Sequence, residues 1–291
     1  MTATATKSKV AVPSKTRSAY DGNVLLEFFE GRHQYKVNGE RVDGVTTILG
    51  VINKPWLTAW ASKEACKFLG YYDRELWTPQ GFIPAPAEDV KAGHKILKKR
   101  LSDVKKMTAN QYWDFLKLAK GAPNRKRDDA ADKGTAVHAY CEAFIKNQNP
   151  AMPEDPQVRA GAEAFLRWVE MNKVSFTSSE HMVCSVKHGY AGTLDWTAEV
   201  NGKHILGDLK TSSQISGGMG YQLALYRNAV VEELGYDPYE GQIIVNARKD
   251  GSLEVREEWN YPGDLVAALA AIPLYRREKQ IQQDEKEKEL K

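Results

Sequence analysis

The chain has 291 residues, of which 42% are apolar and 27% charged, with 22 Gly and 12 Pro; this is ordinary globular usage and excludes disordered, collagenous and fibrous classes. No run approaches the roughly eighteen uninterrupted apolar residues of a spanning helix, so no membrane segment is expected. Net charge is only +3, and Cys66, Cys141 and Cys184 are scattered without a CxxC pair, which suits a reducing cytosol rather than a disulfide framework.

Residues 1–20 are rich in Thr, Ser, Ala and Lys, lack an apolar signal core, and read as a disordered basic tail rather than a transit peptide. Residues 35–42 hold Asn38-Gly39 between short alternating runs, a hairpin with a type I′ turn. Leu57, Trp60, Ala61, Glu64, Ala65 and Phe68 recur at three and four, which predicts a helix over 57–69. The Pro-rich stretch 78–87 reads as a loop. A helix over 91–107 should turn Ile96, Leu97, Leu101 and Val104 inward and its lysines outward, and Trp113, Phe115 and Leu116 suggest another helix.

Residues 91–127 carry twelve Lys and Arg against Asp103 and Asp114. A solvated helical face is the common origin of such a run. In a chain of net charge +3, however, this segregation means that the remainder is acidic, and an anionic polymer's binding surface needs that asymmetry. Lys98, Lys99, Arg100, Lys105, Arg125, Lys126 and Arg127 are the candidate phosphate contacts, with Trp60, Tyr112 and Trp113 as candidate base-stacking groups.

Helices are expected over 128–146 and 157–171, then strands near 174–176, 181–186, 192–199 and 203–210. A helix over 219–234, strands near 242–247 and 252–258, and a terminal helix from 264 complete the pattern, which is that of an α/β domain with a mixed sheet. Four segments result: the tail 1–20; a basic, helical DNA-holding region with its hairpin, 21–127; a core, 128–275; and a charged helical tail, 276–291.

The segment 192–210 is the most informative. Asn201-Gly202 is again a two-residue hairpin turn, so Val200 opposes Lys203 and Asp195 opposes Asp208. Strand alternation puts Lys210 on the face of Asp208, with Thr193 across from it, and gathers Leu194, Trp196, Ala198, Ile205 and Leu209 on the other. Carboxylates directly across a strand pair repel, and the hairpin's own stability has no use for them. A hard divalent cation, Mg²⁺ or Mn²⁺, would cancel that repulsion, and the adjacent lysine would stabilise an anionic transition state. Pairing of the acids with Lys210 and neighbouring bases in an exposed hairpin is the structural alternative.

Gly192-Thr193-Leu194-Asp195, Asp208-Leu209-Lys210-Thr211 and Gln222-Leu223-Ala224-Leu225-Tyr226 resemble the motifs of the PD-(D/E)xK nuclease superfamily, in particular its RecB-type and Cas4-like exonuclease branch. Gly134-Thr135-Ala136-Val137-His138 is similar to that branch's upstream histidine motif, and Ser179-Glu180-His181 to the strand that opens with a glutamate. The resemblance spans about residues 130–230; Val45-Thr46-Thr47-Ile48-Leu49 and Pro55-Trp56-Leu57 resemble the N-terminal part of phage members. It implies a restriction-endonuclease-like α/β core, a mixed central sheet flanked by helices, plus a helical N-terminal region. His138, Asp195, Asp208 and the main-chain carbonyl of Leu209 would hold Mg²⁺ or Mn²⁺, and Lys210 would activate water. Gln222, Tyr226 and Glu180 would support the site, Tyr226 also touching DNA. Three dispersed cysteines cannot build the iron–sulfur cluster of Cas4 proper, so the likeness is to cluster-free phage-type members.

The activity so implied is metal-dependent hydrolysis of DNA from its ends, 5′ to 3′, in recombination, repair or replication. Its partners would be single-stranded or end-containing duplex DNA and a recombinase or single-strand annealing protein, in a cytoplasm that is the host's if the chain is phage-encoded. Two other functions fit the same motifs: a non-catalytic DNA-binding recombination accessory, and a restriction-type endonuclease. The intact Asp195, Asp208 and Lys210 argue against the first, His138 and the QxxxY helix against the second.

Overall fold

The computed structural model describes residues 12–289 apart from Asn53, Pro79 and Glu258, and leaves the side chains of Pro55 and Trp56 undescribed. Most of the expected basic tail thus lies outside the described residues. The fold is the expected mixed α/β arrangement, a large mixed sheet with seven α-helices among the described residues. The chain divides into two compact units, one of Met1–Ile52 with Gly134–Lys291, the other of Asn53–Lys133.

In the first unit, β1 (Lys15–Ala19), β2 (Val24–Phe29), β3 (Gln34–Val37) and β4 (Glu40–Gly44) form an antiparallel meander. A short α1 (Val45–Leu49) follows. In the second unit come α2 (Pro55–Phe68), β5 (Glu75–Thr78), β6 (Gly81–Pro84) and α3 (Ala87–Val104). The 37-residue helix α4 (Ala109–Ile145) contains Pro123, and its last turns, from Gly134, belong to the first unit. The first unit continues with α5 (Pro156–Met171), β7 (Ser175–Ser185), β8 (Tyr190–Val200), β9 (Lys203–Lys210), α6 (Gly218–Leu234), β10 (Gly241–Ala247), β11 (Leu253–Arg256) and α7 (Tyr261–Glu289). None of the described helices is long and apolar enough to cross a membrane.

The sheet runs β1-β2-β3-β4-β8-β9-β10-β11, with β7 also paired to β8. The contacts β4–β8 and β9–β10 are parallel, the others antiparallel. Both faces are covered. Leu206 and Ile244 pack with Leu223 and Leu225 of α6 and with Ala268 and Ile272 of α7. Ile205, Leu209 and Val245 pack on the other side with Val137 of α4 and with Phe165 and Trp168 of α5. A third cluster joins Leu26 and Tyr35 to Met182 and Cys184. Asp155 caps α5 by accepting from the Gln157 and Val158 amides at 2.8 and 3.0 Å, satisfying donors that a helix start leaves free.

Several expectations need correcting. Residues 15–19 are strand β1, not tail, because Arg17 reaches Glu233 of α6 with a two-nitrogen grip and donates to the Met182 carbonyl at 3.1 Å. Residues 12–52 therefore belong with the core, and the helical region starts at 53 rather than 21. The Pro-rich stretch contains β6, which pairs with β5. One continuous α4 replaces the two helices expected over 113–116 and 128–146. In α3, Ile96 and Leu101 are 52% and 53% exposed; the inward stripe is Gly93, Leu97, Arg100 and Val104. Tyr72 dictates this choice, since its ring lies where a side chain at position 93 would stand, 2.3 Å from an added Cβ.

Candidate active site

The β8–β9 hairpin has the register read from its turn. Asn201 and Gly202 take φ of 51° and 78°, as a type I′ turn requires, and the ladder runs from Val200–Lys203 to Trp196–Gly207. There the two strands part. β9 continues beside β10, matching Asp208 with Ile244 and Lys210 with Asn246, while β8 continues beside β7 and reaches β4 at Tyr190 and Ala191. Asp195 and Asp208 are the first opposed residues beyond the last rung. The gap leaves the Leu209 amide without a strand partner, and it donates instead to Asp195 Oδ2 at 2.8 Å.

One detail departs from strict alternation. Leu194 and Trp196, two apart, do not share a face: Leu194 packs with Leu206 and Leu223, Trp196 with Val137 and Trp168. The break coincides with Glu180 on β7, at φ 52°, flanked by the pairs Ser179–Trp196 and His181–Leu194. Residues other than glycine seldom adopt that conformation inside a strand. The reversal in β8 falls opposite Glu180, so Asp195 stands where the alternation changes side.

Asp208 is 1% exposed. Its Oδ1 accepts from Gln222 Nε2 at 3.3 Å and its Oδ2 forms an ion pair with the Lys210 ammonium. The same Gln222 nitrogen donates to the Tyr226 hydroxyl at 3.1 Å, so the two α6 residues four apart act as one support. Gly192 explains itself here: an added Cβ would lie 2.5 Å from Tyr226 Cε1. Thr193, expected across from Lys210, bonds the Tyr35 hydroxyl at 2.9 Å.

His138 on α4 brings Nδ1 to 3.6 Å from Asp195 Oδ2. Burial, and then the Asp208 charge, hold the Asp195 carboxyl well above the usual carboxylate range. Burial opposes the Lys210 ammonium, but Asp208 and Asp195 outweigh it and raise its pKa. Burial and the Lys210 charge lower that of His138, favouring the neutral imidazole that can act as a ligand. Burial, then Asp208, raises Tyr226 well above an ordinary phenol.

The structure therefore brings together His138, Asp195, Asp208, Leu209, Lys210, Gln222 and Tyr226. Glu180 adds to the negative field at Asp195 and pairs with Lys15 at 3.1 Å. Glu142, one turn beyond His138, pairs with Lys146. Among the described residues no three His, Cys, Asp or Glu side chains converge into a ready-made metal cage. The donor set still suits a hard cation: two carboxyl groups, one of them destabilised as an anion by the other, and an imidazole. Such an ion would displace Lys210 from Asp208.

Sequence reasoning missed Asn246 and Glu254. Asn246 is fully buried, stands in register with Lys210, and donates to Glu254 Oε2 at 3.3 Å. That oxygen also takes the Ile215 amide at 3.2 Å and the Arg248 guanidinium, fixing the segment between Lys210 and α6. The available signal was one polar residue inside the apolar run Ile243-Ile244-Val245-Asn246-Ala247.

In the second unit, Lys98, Lys99 and Lys105 are exposed. The other basic candidates have partners: Arg100 lies over Phe68 at 4.9 Å, Arg125 over Phe68 at 5.6 Å, Lys126 on Glu64 at 2.8 Å and Arg127 on Asp128 at 2.9 Å. Trp113 and Tyr112 are 61% and 42% exposed, and Trp60 is half-buried.

No protein-family model and no curated protein matches the chain. Among solved structures, a candidate exonuclease from Eubacterium rectale is similar at 14% identity and a TM-score of 0.36, over 50% of this chain and 66% of that one. The protein SSO0001 is similar at 18% identity and a TM-score of 0.24, over 49% of this chain and 72% of that one.

Proposed function

We propose that the chain is a metal-dependent DNA exonuclease, hydrolysing phosphodiester bonds from DNA ends, 5′ to 3′. The observation that carries the reading is the juxtaposition of Asp195, Asp208 and Lys210 at the fork of β8 and β9, where the lysine pairs with Asp208 and Asp195 accepts from the Leu209 amide. His138, Asp195, Asp208 and the Leu209 carbonyl would hold Mg²⁺ or Mn²⁺. Such an ion, when bound, neutralises charge on the scissile phosphate and acidifies water.

The chain's own groups do the rest. Lys210, freed from Asp208, offers its ammonium to the attacking water and to the negative charge growing on the phosphorus oxygens. Gln222 fixes the Asp208 carboxylate through Oδ1 and leaves Oδ2 for exchange between partners. Tyr226 locks Gln222 and keeps its own proton, because its phenol sits far above neutrality. The amide of Leu209 holds Asp195 in place by donating to its Oδ2.

The test is digestion of end-labelled linear single- and double-stranded DNA and of closed circles, with Mg²⁺, Mn²⁺ or EDTA. Wild type should degrade linear DNA only, in a metal-dependent manner. Asp208→Ala and Lys210→Ala should lose at least about 100-fold, the scale of a removed charge-stabilising group. Nicked circles would indicate an endonuclease, and DNA binding without cleavage under any metal would leave only a binding role.

A further inference from the structure

The second unit carries an aromatic feature that the catalytic reading does not use. β5 and β6 form an isolated two-stranded hairpin, in which Trp77 pairs directly with Phe82. Directly paired residues share a face of the sheet. Trp77 is 70% exposed and Phe82 71%, two large rings presented to solvent from one face of the hairpin. Phe82 also lines a groove of about 640 Å³ with Tyr71, Tyr72, Arg74, Glu75 and Leu97, one cation and one carboxylate among the rings, a size within the roughly 300–1,000 Å³ of small-molecule sites. Tyr71 is 54% exposed, and the guanidinium of Arg74 lies 5.5 Å from the centre of the Tyr72 ring.

We infer that this groove and the Trp77–Phe82 pair form a stacking site for the unpaired bases of a single strand. The inference rests on the nuclease reading and names its substrate as DNA with a single-stranded end. Charge complementarity selects the occupant. Residues 53–133 contain seventeen Lys and Arg against ten Asp and Glu, so this unit is more positive than the whole chain at +3. Leu97, which lines the groove, is followed along α3 by the exposed Lys98 and Lys99. Exposed rings interleaved with cations are what a flexible polyanion with flat bases requires: the rings take bases of any sequence, and the cations follow the phosphates. An apolar protein partner would gain nothing from the surrounding excess of positive charge.

The experiment measures binding of fluorescent oligothymidylate and of an abasic oligonucleotide with the same backbone and length, in EDTA so that nothing is cut. Wild type should bind oligothymidylate more tightly than the abasic strand. Tyr71→Ala and Phe82→Ala should each weaken oligothymidylate binding roughly tenfold while leaving the abasic strand unchanged. Phe82→Tyr keeps the ring and should bind as wild type; Phe82→Leu keeps apolar bulk without a ring and should behave like the alanine variant, which also covers the case of an alanine variant that folds poorly. Equal affinity of wild type for both strands, or tolerance of Phe82→Leu, overturns the inference. So does self-association in sedimentation that Phe82→Ala abolishes without changing DNA binding, which would make a second copy the occupant. Cleavage by wild type, assayed separately with Mg²⁺ or Mn²⁺, distinguishes the two readings: a chain that stacks bases but never cuts loses only the nuclease reading, and one that cuts with no base preference loses only the groove.

Discussion

Gly207→Ala tests the fork by steric arithmetic alone. Position 207 is paired with Trp196 on the last rung of the β8–β9 ladder, and an added Cβ would lie 1.9, 2.0 and 2.2 Å from three carbons of the indole. Carbon atoms rest at about 3.5–4.0 Å, so the ring would have to retreat by roughly 1.5 Å. It has nowhere to go: Trp196 is 1% exposed and is held between Trp168 and Phe176, whose ring centres are 5.4 and 5.6 Å away. Overpacking of this kind costs about 1–3 kcal/mol, and expelling a large side chain from the core costs about as much. A loss of about 3 kcal/mol is expected, which lowers the urea midpoint by about 1 M at a slope near 3 kcal/mol per molar. Near-UV circular dichroism of the tryptophan cluster reports the transition. In a Trp196→Phe background the smaller ring leaves space, so the same substitution should cost under about 1 kcal/mol. A loss below about 0.5 kcal/mol in wild type, or an equal loss in both backgrounds, would refute the packing argument.

Three further outcomes follow from the geometry. Burial and Asp208 raise the Asp195 carboxyl, so the folded chain retains there a proton that the unfolded chain releases near its ordinary pKa of about 4; stability falls as pH rises from that value through the folded one. Asp195→Asn should therefore melt a few degrees above wild type at pH 7 in EDTA, the difference closing towards pH 4; a lower melting point at pH 7 would contradict it. With a thiol reagent at pH 8, exposed Cys66 should react at once, whereas Cys184, pushed up to about 11 by burial and then by Glu233, and buried Cys141 should react only on unfolding, a count that mass spectrometry of the native protein settles. Arg17→Met leaves the poorly exposed Glu233 without its partner and should cost about 2 kcal/mol by urea denaturation, whereas an N-terminal strand of no consequence would give no change.

Much of the site was legible because its signals are local. An Asn-Gly turn fixes a register, and a register of period two decides which residues oppose; Asp195 against Asp208 needed nothing more. What escaped depends on partners far away in the chain. The break in alternation at Asp195 lies opposite Glu180, a positive-φ residue on the neighbouring strand that nothing in the 192–210 segment announces. β1 looked like a solvated tail because the residue that anchors Arg17 lies 216 positions away. The inward face of α3 was misjudged because apolar periodicity alone favoured Ile96 and Leu101, whereas packing chose the face that could admit Tyr72 against Gly93. Prolines hid the β5–β6 hairpin, since two strands on their own can accept them at edges.

The contacts at the fork also bear on how a cation would enter. Buried Asp208 and half-buried Asp195 do not both stand ionised and alone: Asp208 has Lys210 and Gln222, and Asp195 holds its proton more tightly than usual and takes the Leu209 amide. These partners compensate charge without closing the site, because an ammonium on a flexible stem exchanges far more readily than a bidentate guanidinium would. Asp195 and Asp208 would hold the cation in the proposed reaction, which would leave the Lys210 ammonium free to face the substrate phosphate. Lys210→Arg tests that argument: arginine would keep the charge but grip Asp208 through two nitrogens. Cleavage should then fall although the charge is conserved, and the metal concentration needed for half-activity should rise. If Lys210→Arg cleaves at the wild-type rate with unchanged metal dependence, the lysine serves only as a counter-charge.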